Sequence, residues 1–296
     1  MREVDDRIRL WRNTVALFYE LKTIGLKGPF KSAGYKIGVI EPVADPTGAG
    51  GVPDIVCSSD SKWAIIEVTL NDKPKKCQLD SYRDMNPRLF QQWLGDTIAG
   101  KPNVICSRLE NDVDDGGYCQ IFVRDRFDSK NTEKLSDTEL AEYLRKFNGT
   151  DISRSPDIQI QLIPEMASKS YELRRGLVNL VLKLAEPGCR GRTADQIVTS
   201  GLERIAENVS ETSKGKLVKS VEQQLVQLVE GKMKDYMEYD DSSPNIVFRF
   251  KEGVNIENKN TRSKIVRLLK EWVGERKGQT ELSDYDSNDG DMTATT

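Results

Sequence analysis

The chain has 296 residues, of which 37% are hydrophobic and 31% are charged, and its net charge is −3. No apolar run approaches the about 18 residues that a membrane-spanning helix needs, so the composition indicates a globular protein of one large or two smaller domains. The chain has no histidine, which excludes Ser-His-Asp and Cys-His catalysis and histidine-ligated zinc. Its five cysteines form no CxxC pair, so we expect neither a disulfide scaffold nor structural zinc.

Helical spacing of apolar residues predicts a first helix over residues 5–24, followed by a strand over residues 36–41. The glycines of residues 44–52 could form a phosphate cradle, but the GxxxxGK[ST] pattern is absent and a plain loop is favoured. Two apolar runs, starting at Asp54 and at Trp63, are joined by a polar turn of five residues and predict a β-hairpin.

The remaining pattern predicts an α/β first part and a mainly α second part. We expect helices over residues 75–99, with an interruption near Pro87, and 136–147, and strands over 103–107, 118–123 and, as a strand or connector, 158–163. Further helices are predicted over 169–186, 193–209, 214–238 and 261–273, with a strand over 246–250. The predicted domains are 1–155, 156–278 and an acidic tail, 279–296, which has five acids and no base and is expected to be disordered.

The predicted hairpin brings two carboxylates together. Asp54 opens its first strand and Glu67 lies late on its second, so the chain reversal returns Glu67 to the neighbourhood of Asp54. Two carboxylates held close repel each other, and a shared divalent cation relieves the repulsion. Oxygen ligands favour Mg²⁺ or Mn²⁺ over zinc, and such an ion activates water and neutralises charge on a phosphate under attack.

The order of these residues resembles the PD-(D/E)XK nuclease superfamily. Pro53-Asp54 is followed by twelve residues and then by Glu67-Val68-Thr69. The resemblance implies a restriction-endonuclease-like mixed sheet flanked by helices, and a Mg²⁺ or Mn²⁺ ion bound by Asp54, Glu67 and the backbone carbonyl of Val68. Thr69 stands where the superfamily usually has a lysine that positions or activates the attacking water.

The Glu-Val-Thr variant is similar to that of the AlwI-type restriction and nicking endonucleases, which place a further acid on the following helix. Asp80 matches that acid. Gln78 and Tyr82 resemble the QLxxY helix motif of the RecB-like branch, and their spacing puts them on one face of a helix while Asp80 points elsewhere. We therefore favour Gln78 as the neighbour of the metal site and keep Asp80 as an alternative ligand.

Two further groups are candidates by the same resemblance. Many members carry a glutamate on the first helix that joins the metal site, and Glu20 would match it; an ordinary exposed glutamate is the alternative. A lysine just after the second hairpin strand, Lys76 among them, could fill the vacant lysine role or contact phosphates. A solvated loop is the alternative for these lysines, which are Lys73, Lys75 and Lys76.

The sequence thus predicts a Mg²⁺- or Mn²⁺-dependent endonuclease of restriction or phage-defence type, with DNA favoured over RNA as substrate. An RNA endonuclease of cap-snatching type and an inactive nuclease-like binding module remain as alternatives. The C-terminal helices would serve target recognition or dimerisation, and a helix-turn-helix near residues 201–209 is a weaker alternative. A symmetric double-strand cut would need a homodimer, whereas a nicking enzyme would not. The amphipathic N-terminus does not resemble a signal peptide, so we expect a cytoplasmic protein.

Overall fold

A computed structural model describes residues 2–42, 51–70, 76–95, 97–110, 117–153, 158–186 and 188–274. The chain divides into two compact units, and the first comprises Met1–Pro164 together with Val198–Leu217. The second comprises Glu165–Ile197 and the chain from Val218 onward. Within the described ranges, no helix combines the length and the apolar character that a membrane crossing requires.

The first unit is built on strands and helices that alternate along the chain. Its elements are α1 (Arg2–Ala16), β1 (Glu20–Leu21), β2 (Leu26–Lys27), α2 (Pro29–Ser32), β3 (Lys36–Ile40), β4 (Ile55–Ser59), β5 (Lys62–Val68), α3 (Lys76–Arg83), α4 (Gln91–Leu94), β6 (Asn103–Arg108), β7 (Cys119–Val123), β8 (Phe127–Lys130) and α5 (Thr138–Phe147). Short 3₁₀ turns lie between several of them, including Pro87–Phe90 before α4.

Six of these strands form one sheet in the order β3-β4-β5-β6-β7-β8. The pairs β3–β4, β4–β5 and β7–β8 are antiparallel, whereas β5–β6 and β6–β7 are parallel. The predicted α/β class with a mixed sheet flanked by helices is therefore confirmed. The parallel pairs bring the carboxyl ends of β5, β6 and β7 to a single edge of the sheet.

The β4–β5 hairpin confirms the predicted pairing and corrects its turn. Ser59 pairs with Lys62, so two residues turn the chain rather than the expected five. Asp60 adopts a φ of 44° there, a left-handed conformation that aspartate tolerates better than most residues. The tighter turn lengthens both strands and shifts their pairing by one residue: a five-residue loop over 58–62 would pair Cys57 with Trp63, whereas Cys57 pairs with Ala64.

The two faces of the sheet are covered by different helices. One face packs against α3, the following 3₁₀ turn and α4 through a core that includes Val56, Trp63, Ile65, Leu79, Tyr82, Phe90 and Val104. On the opposite face, α1 contacts the sheet through two polar groups. The Thr14 and Ser107 hydroxyl oxygens lie 2.6 Å apart, and Asn13 Nδ2 donates to the Val123 carbonyl at 2.6 Å.

The prediction that the first helix reaches residue 24 is wrong. It ends at Ala16, and Glu20–Leu21 pairs with Leu26–Lys27 as a small antiparallel hairpin. Gly25 lies in that hairpin at a φ of 67°. The apolar residues after Ala16 are buried as expected, but a loop and a hairpin bury them rather than a continuing helix.

Asp137 fixes the start of α5 at the sheet edge opposite the carboxyl ends of β5 and β6. Its carboxylate caps the helix by accepting from the Glu139 and Leu140 amides at 3.1 and 3.3 Å. It also accepts from the Tyr35 hydroxyl at 2.9 Å and from Lys62 Nζ at 2.8 Å. This buried carboxylate is fully engaged in holding elements together.

The second unit is mainly helical with a small sheet. The elements from residue 165 onward are α6 (Ser170–Lys183), β9 (Arg192–Thr193), α7 (Ala194–Leu202), α8 (Glu211–Glu230), β10 (Met237–Asp240), β11 (Val247–Phe250) and α9 (Lys259–Gly274). The strand order β10-β11-β9 is antiparallel throughout. Arg174 links α6 to α8 and α9, because it donates to Gln224 Oε1 at 2.5 Å and to the Trp272 carbonyl at 3.1 Å.

The segment Val198–Leu217 belongs to the first unit rather than to the helical C-terminal part, which the expected boundary after residue 155 did not foresee. Val209 forms a parallel bridge with Ile40. Asn208 Nδ2 donates to the Ile37 carbonyl at 2.9 Å, and the Ser210 hydroxyl donates to the Glu41 carbonyl at 2.5 Å. The segment thus covers the outer edge of β3. The tail over residues 279–296 lies outside the described residues.

Candidate functional site

The two carboxylates predicted from the sequence lie side by side at one edge of the sheet. Ile55 pairs with Ile66 across the β4–β5 hairpin, and continuing that register by one residue places Asp54 opposite Glu67. Asp54 Oδ2 accepts a hydrogen bond from the Val68 amide at 2.6 Å. The first carboxylate is therefore tied to the strand that carries the second.

Glu67 is held by two neutral donors from α3. Gln78 Nε2 donates to Glu67 Oε1 at 3.1 Å, and the Tyr82 hydroxyl donates to Glu67 Oε2 at 2.9 Å. Gln78 Nε2 also lies 2.6 Å from the Tyr82 hydroxyl oxygen. As the four-residue spacing predicted, Gln78 and Tyr82 share one face of the helix. Neutral donors orient the Glu67 carboxylate and leave its negative charge intact.

Tyr82 is a permanently protonated donor in this site. Its side chain is completely buried. Burial, and after it the charge of Glu67, raise the pKa of Tyr82 far above its usual value. The hydroxyl therefore keeps its proton at neutral pH and can donate it to Glu67.

The chain just before Asp54 rests on the same helix. The Tyr82 hydroxyl lies 3.1 Å from the Val52 carbonyl oxygen. At Gly51 the backbone passes so close to Gln78 that a Cβ atom would lie 2.6 Å from Gln78 Nε2. A side chain at position 51 would therefore displace the amide that holds Glu67, which gives this glycine of the predicted loop a packing role.

Asp80 lies on α3 but has other partners. The Tyr118 hydroxyl donates to Asp80 Oδ1, and Arg83 lies 4.0 Å from the same oxygen. Burial, and then the hydrogen bond to Asp80, raise the pKa of Tyr118 to about 12. The structure accordingly places Asp80 beside Tyr118 at the surface, as its position between Gln78 and Tyr82 on the helix predicted.

Glu20 is an exposed residue of β1, where it pairs with Lys27. The expectation that it projects from the first helix is wrong, because that helix ends at Ala16. Among the described residues, no group of three or more Cys, Asp and Glu side chains lies close enough to share a metal ion. The structure therefore does not join Glu20 or Asp80 to Asp54 and Glu67.

The other predicted site residues lie next to Glu67 along the chain. The Thr69 amide donates to the Ser107 carbonyl at 3.1 Å, which extends the β5–β6 ladder by one residue. Lys76 is the first residue of α3, and its side chain is not among those described. Lys73, Lys75 and residues 43–50 of the glycine-rich loop fall in undescribed gaps.

Sequence reasoning missed two buried residues of β6. Cys106 is the register partner of Glu67. Arg108 ends the strand, is 4% exposed, and its Nε donates to Cys106 Sγ at 3.4 Å. The predicted strand over residues 103–107 stopped one residue short of Arg108. One feature of the sequence could have indicated Arg108. It is a basic residue at the carboxyl end of an apolar strand, and Glu67 lies at the same end of the sheet.

The donor set fits a hard divalent cation. Mg²⁺ is commonly bound through one or two carboxylates, with water and substrate phosphate completing its shell. Asp54, Glu67 and the Val68 carbonyl offer oxygen donors of that kind, and the hydrogen bonds from Val68, Gln78 and Tyr82 to the two carboxylates come from neutral donors. Comparison of the chain with protein-family models, curated proteins and solved structures finds no match.

Proposed function

We propose that the protein is a Mg²⁺- or Mn²⁺-dependent endonuclease with a restriction-endonuclease-like first unit, which hydrolyses phosphodiester bonds, with DNA favoured over RNA. One observation carries the proposal: Asp54 and Glu67 occupy facing positions on paired strands, and the Asp54 carboxylate is fixed to the Val68 amide at 2.6 Å. The antiparallel hairpin followed by parallel strands supports the fold assignment. A restriction or phage-defence role is the biological setting that we infer.

In this mechanism Asp54, Glu67 and the Val68 carbonyl would hold the ion. The bound ion would supply an activated water and positive charge for the phosphate under attack. Gln78 and Tyr82 fix the Glu67 carboxylate in one orientation, which would limit the reorganisation that binding an ion requires. The Thr69 hydroxyl lies directly after these ligands and can orient water by hydrogen bonding, but it supplies no charge.

Replacing Glu67 tests the proposal. Glu67→Gln preserves the size of the side chain but removes the charge that holds the cation, so Mn²⁺-dependent cleavage should fall by orders of magnitude. The assay should use single-stranded DNA, double-stranded DNA and RNA. Asp80→Asn is the matched control, because it removes a carboxylate from the same helix region that does not contact Glu67. Equal cleavage by wild type and Glu67→Gln would remove Glu67 from the mechanism.

A binding module without catalysis is the second candidate. Thr69 favours this candidate, because a threonine at the usual lysine position of the strand supplies no positive charge next to the carboxylates. In that case the wild type would bind nucleic acid or protein but cleave none of the three substrates at any Mn²⁺ concentration. Cleavage of RNA alone would instead select the RNA endonuclease alternative, and nicking without double-strand cutting would remove the need for a dimer.

A further inference from the structure

Arg108 is a charged residue buried at the edge of the sheet that carries Asp54 and Glu67. It is 4% exposed, which is rare for arginine without an opposing charge nearby. Its side chain folds back along its own strand, since Nε lies 3.4 Å from Cys106 Sγ. Cys106 in turn is paired with Glu67 on the neighbouring strand. The guanidinium is therefore directed toward the strand position next to Glu67.

The register of the parallel strands places Arg108 beside Thr69. Val68 pairs with Ser107, and the Thr69 amide donates to the Ser107 carbonyl at 3.1 Å, so the next pair along the ladder is Thr69 and Arg108. Paired residues of neighbouring strands lie on the same face of a sheet, and residues two apart on one strand share a face. Glu67, Thr69, Cys106 and Arg108 therefore share the face that α3 covers.

The charges on this face explain why an arginine can be buried there. Gln78 and Tyr82 hold Glu67 through neutral groups, and a backbone amide holds Asp54, so these contacts neutralise neither carboxylate. Two adjacent carboxylates and one buried guanidinium offset part of each other's desolvation cost. Thr69 contributes no charge to this balance.

We propose that Arg108 is the fixed cation of the candidate site and acts as a positioning residue through Asp54 and Glu67. In the absence of a divalent ion, it balances the carboxylate pair and keeps the two strands' ends together. When an ion is bound, the guanidinium opposes it and so sets the affinity of the site. This inference rests on the proposed metal site.

The test is Mn²⁺ binding measured by calorimetric titration of the full chain. Arg108→Met removes the charge but keeps the length of the side chain, and it should tighten Mn²⁺ binding on the order of tenfold. Arg108→Lys keeps the charge and should leave the affinity near that of the wild type. Arg83→Met is the matched control and should leave the Mn²⁺ affinity unchanged. It removes a cation from α3 that contacts Gly117 and Asp80.

Moving the positive charge from position 108 to its paired position 69 gives the sharpest comparison of Mn²⁺ affinities. Adding Thr69→Lys to Arg108→Met restores a cation on the same face from the neighbouring strand, so Mn²⁺ affinity should return toward the wild-type value. Thr69→Lys alone adds a second cation and should weaken binding on the order of tenfold. Circular dichroism shows whether each variant is folded. If Arg108→Met alone is unfolded, the double variant is compared with Thr69→Lys, from which it differs only at position 108, and it should bind Mn²⁺ more tightly.

The outcomes separate this inference from the proposed function. A wild type that binds no Mn²⁺ overturns the proposed metal site and the role of Arg108 with it. Mn²⁺ binding that Glu67→Gln abolishes, but that no charge change at positions 108 and 69 alters, overturns the role of Arg108 alone. A role in packing only would lower the melting temperature of Arg108→Met without shifting Mn²⁺ affinity in either direction.

Discussion

Tyr82 of α3 and Tyr118 beside this helix donate hydrogen bonds to carboxylates that differ in their exposure to water. Tyr82 is completely buried and donates to Glu67, whereas Tyr118 donates to Asp80, whose side chain is 50% exposed. Water can replace the lost partner at Asp80, but a hydrogen bond lost at Glu67 leaves a partly buried carboxylate with one donor fewer. The same chemical change therefore has different consequences at the two positions.

We expect Tyr82→Phe to lower the free energy of unfolding by about 1–2 kcal/mol, because it removes a buried donor to a charged group. Tyr118→Phe should change it by less than about 0.5 kcal/mol, since the exposed Asp80 regains water. Urea denaturation at neutral pH measures both values. Equal losses in the two variants would show that Tyr82 contributes packing and no specific support for Glu67.

At the scale of the element, Asp137 couples α5 to the strand ends of β3 and β5. Burial by itself raises the pKa of Asp137, but hydrogen bonds from Lys62 and Tyr35 outweigh it and lower the pKa below its usual value. A carboxylate with a lowered pKa in the folded state stabilises the protein above the unfolded pKa of about 3.9. That stabilisation is lost as the pH falls through the lowered, folded-state pKa.

Asp137→Asn should therefore cost about 2 kcal/mol at pH 7, where the ionised side chain accepts from Lys62 and Tyr35. The asparagine still caps α5, so the helix itself is retained. The difference from wild type should shrink as the pH falls below about 4, and urea denaturation across pH 3–7 would detect this. Glu139→Gln, at an exposed position of the same helix, is the control. A difference that stays constant across this range would contradict the coupling.

Local sequence predicts some elements around the site better than others. Two apolar runs joined by a polar turn predict the hairpin, and with it the proximity of Asp54 and Glu67, because both strands lie within a short stretch of chain. The exact pairing did not follow from the sequence, because the turn has two residues rather than the five expected. The four-residue spacing of Gln78 and Tyr82 likewise fixes their shared helix face. Arg108 was missed because its neighbours depend on the register of a parallel pair, and parallel strands join through a crossover whose length does not determine register.

The end of α1 was mispredicted for a different reason. The apolar residues after Ala16 keep helical spacing, but they are buried by a loop and a small hairpin. Periodicity reports which residues are buried and does not distinguish between elements when the run is short. Glu20 was therefore placed on a helix that had already ended.

At the scale of the whole molecule, the first unit is discontinuous in sequence. Val198–Leu217 returns to it and covers the outer edge of β3 through Asn208, Val209 and Ser210. A fragment of residues 1–164 would lack this segment and expose the β3 edge. We expect the fragment to melt at a lower temperature than the full chain and to aggregate, because an uncovered edge strand pairs with other chains.

Removing only residues 279–296 is the matched truncation. The sequence predicts that this acidic tail is disordered, so its removal should leave the melting temperature nearly unchanged. Differential scanning calorimetry of the two truncated proteins beside the full chain would measure both effects. A fragment of residues 1–164 that melts like the full chain would show that the returning segment contributes little to the first unit.

The tight β4–β5 turn also has a kinetic consequence. Because Ser59 pairs directly with Lys62, the two candidate ligands belong to one hairpin and meet as soon as that hairpin closes. Isolated hairpins close within roughly 1–10 μs, whereas contacts that require a parallel crossover carry a larger loop-closure cost and form more slowly. During folding the carboxylate pair therefore precedes Arg108. If Asp54 and Glu67 hold a divalent ion as we propose, the closed hairpin would offer both carboxylates to that ion before the Arg108 guanidinium is in place.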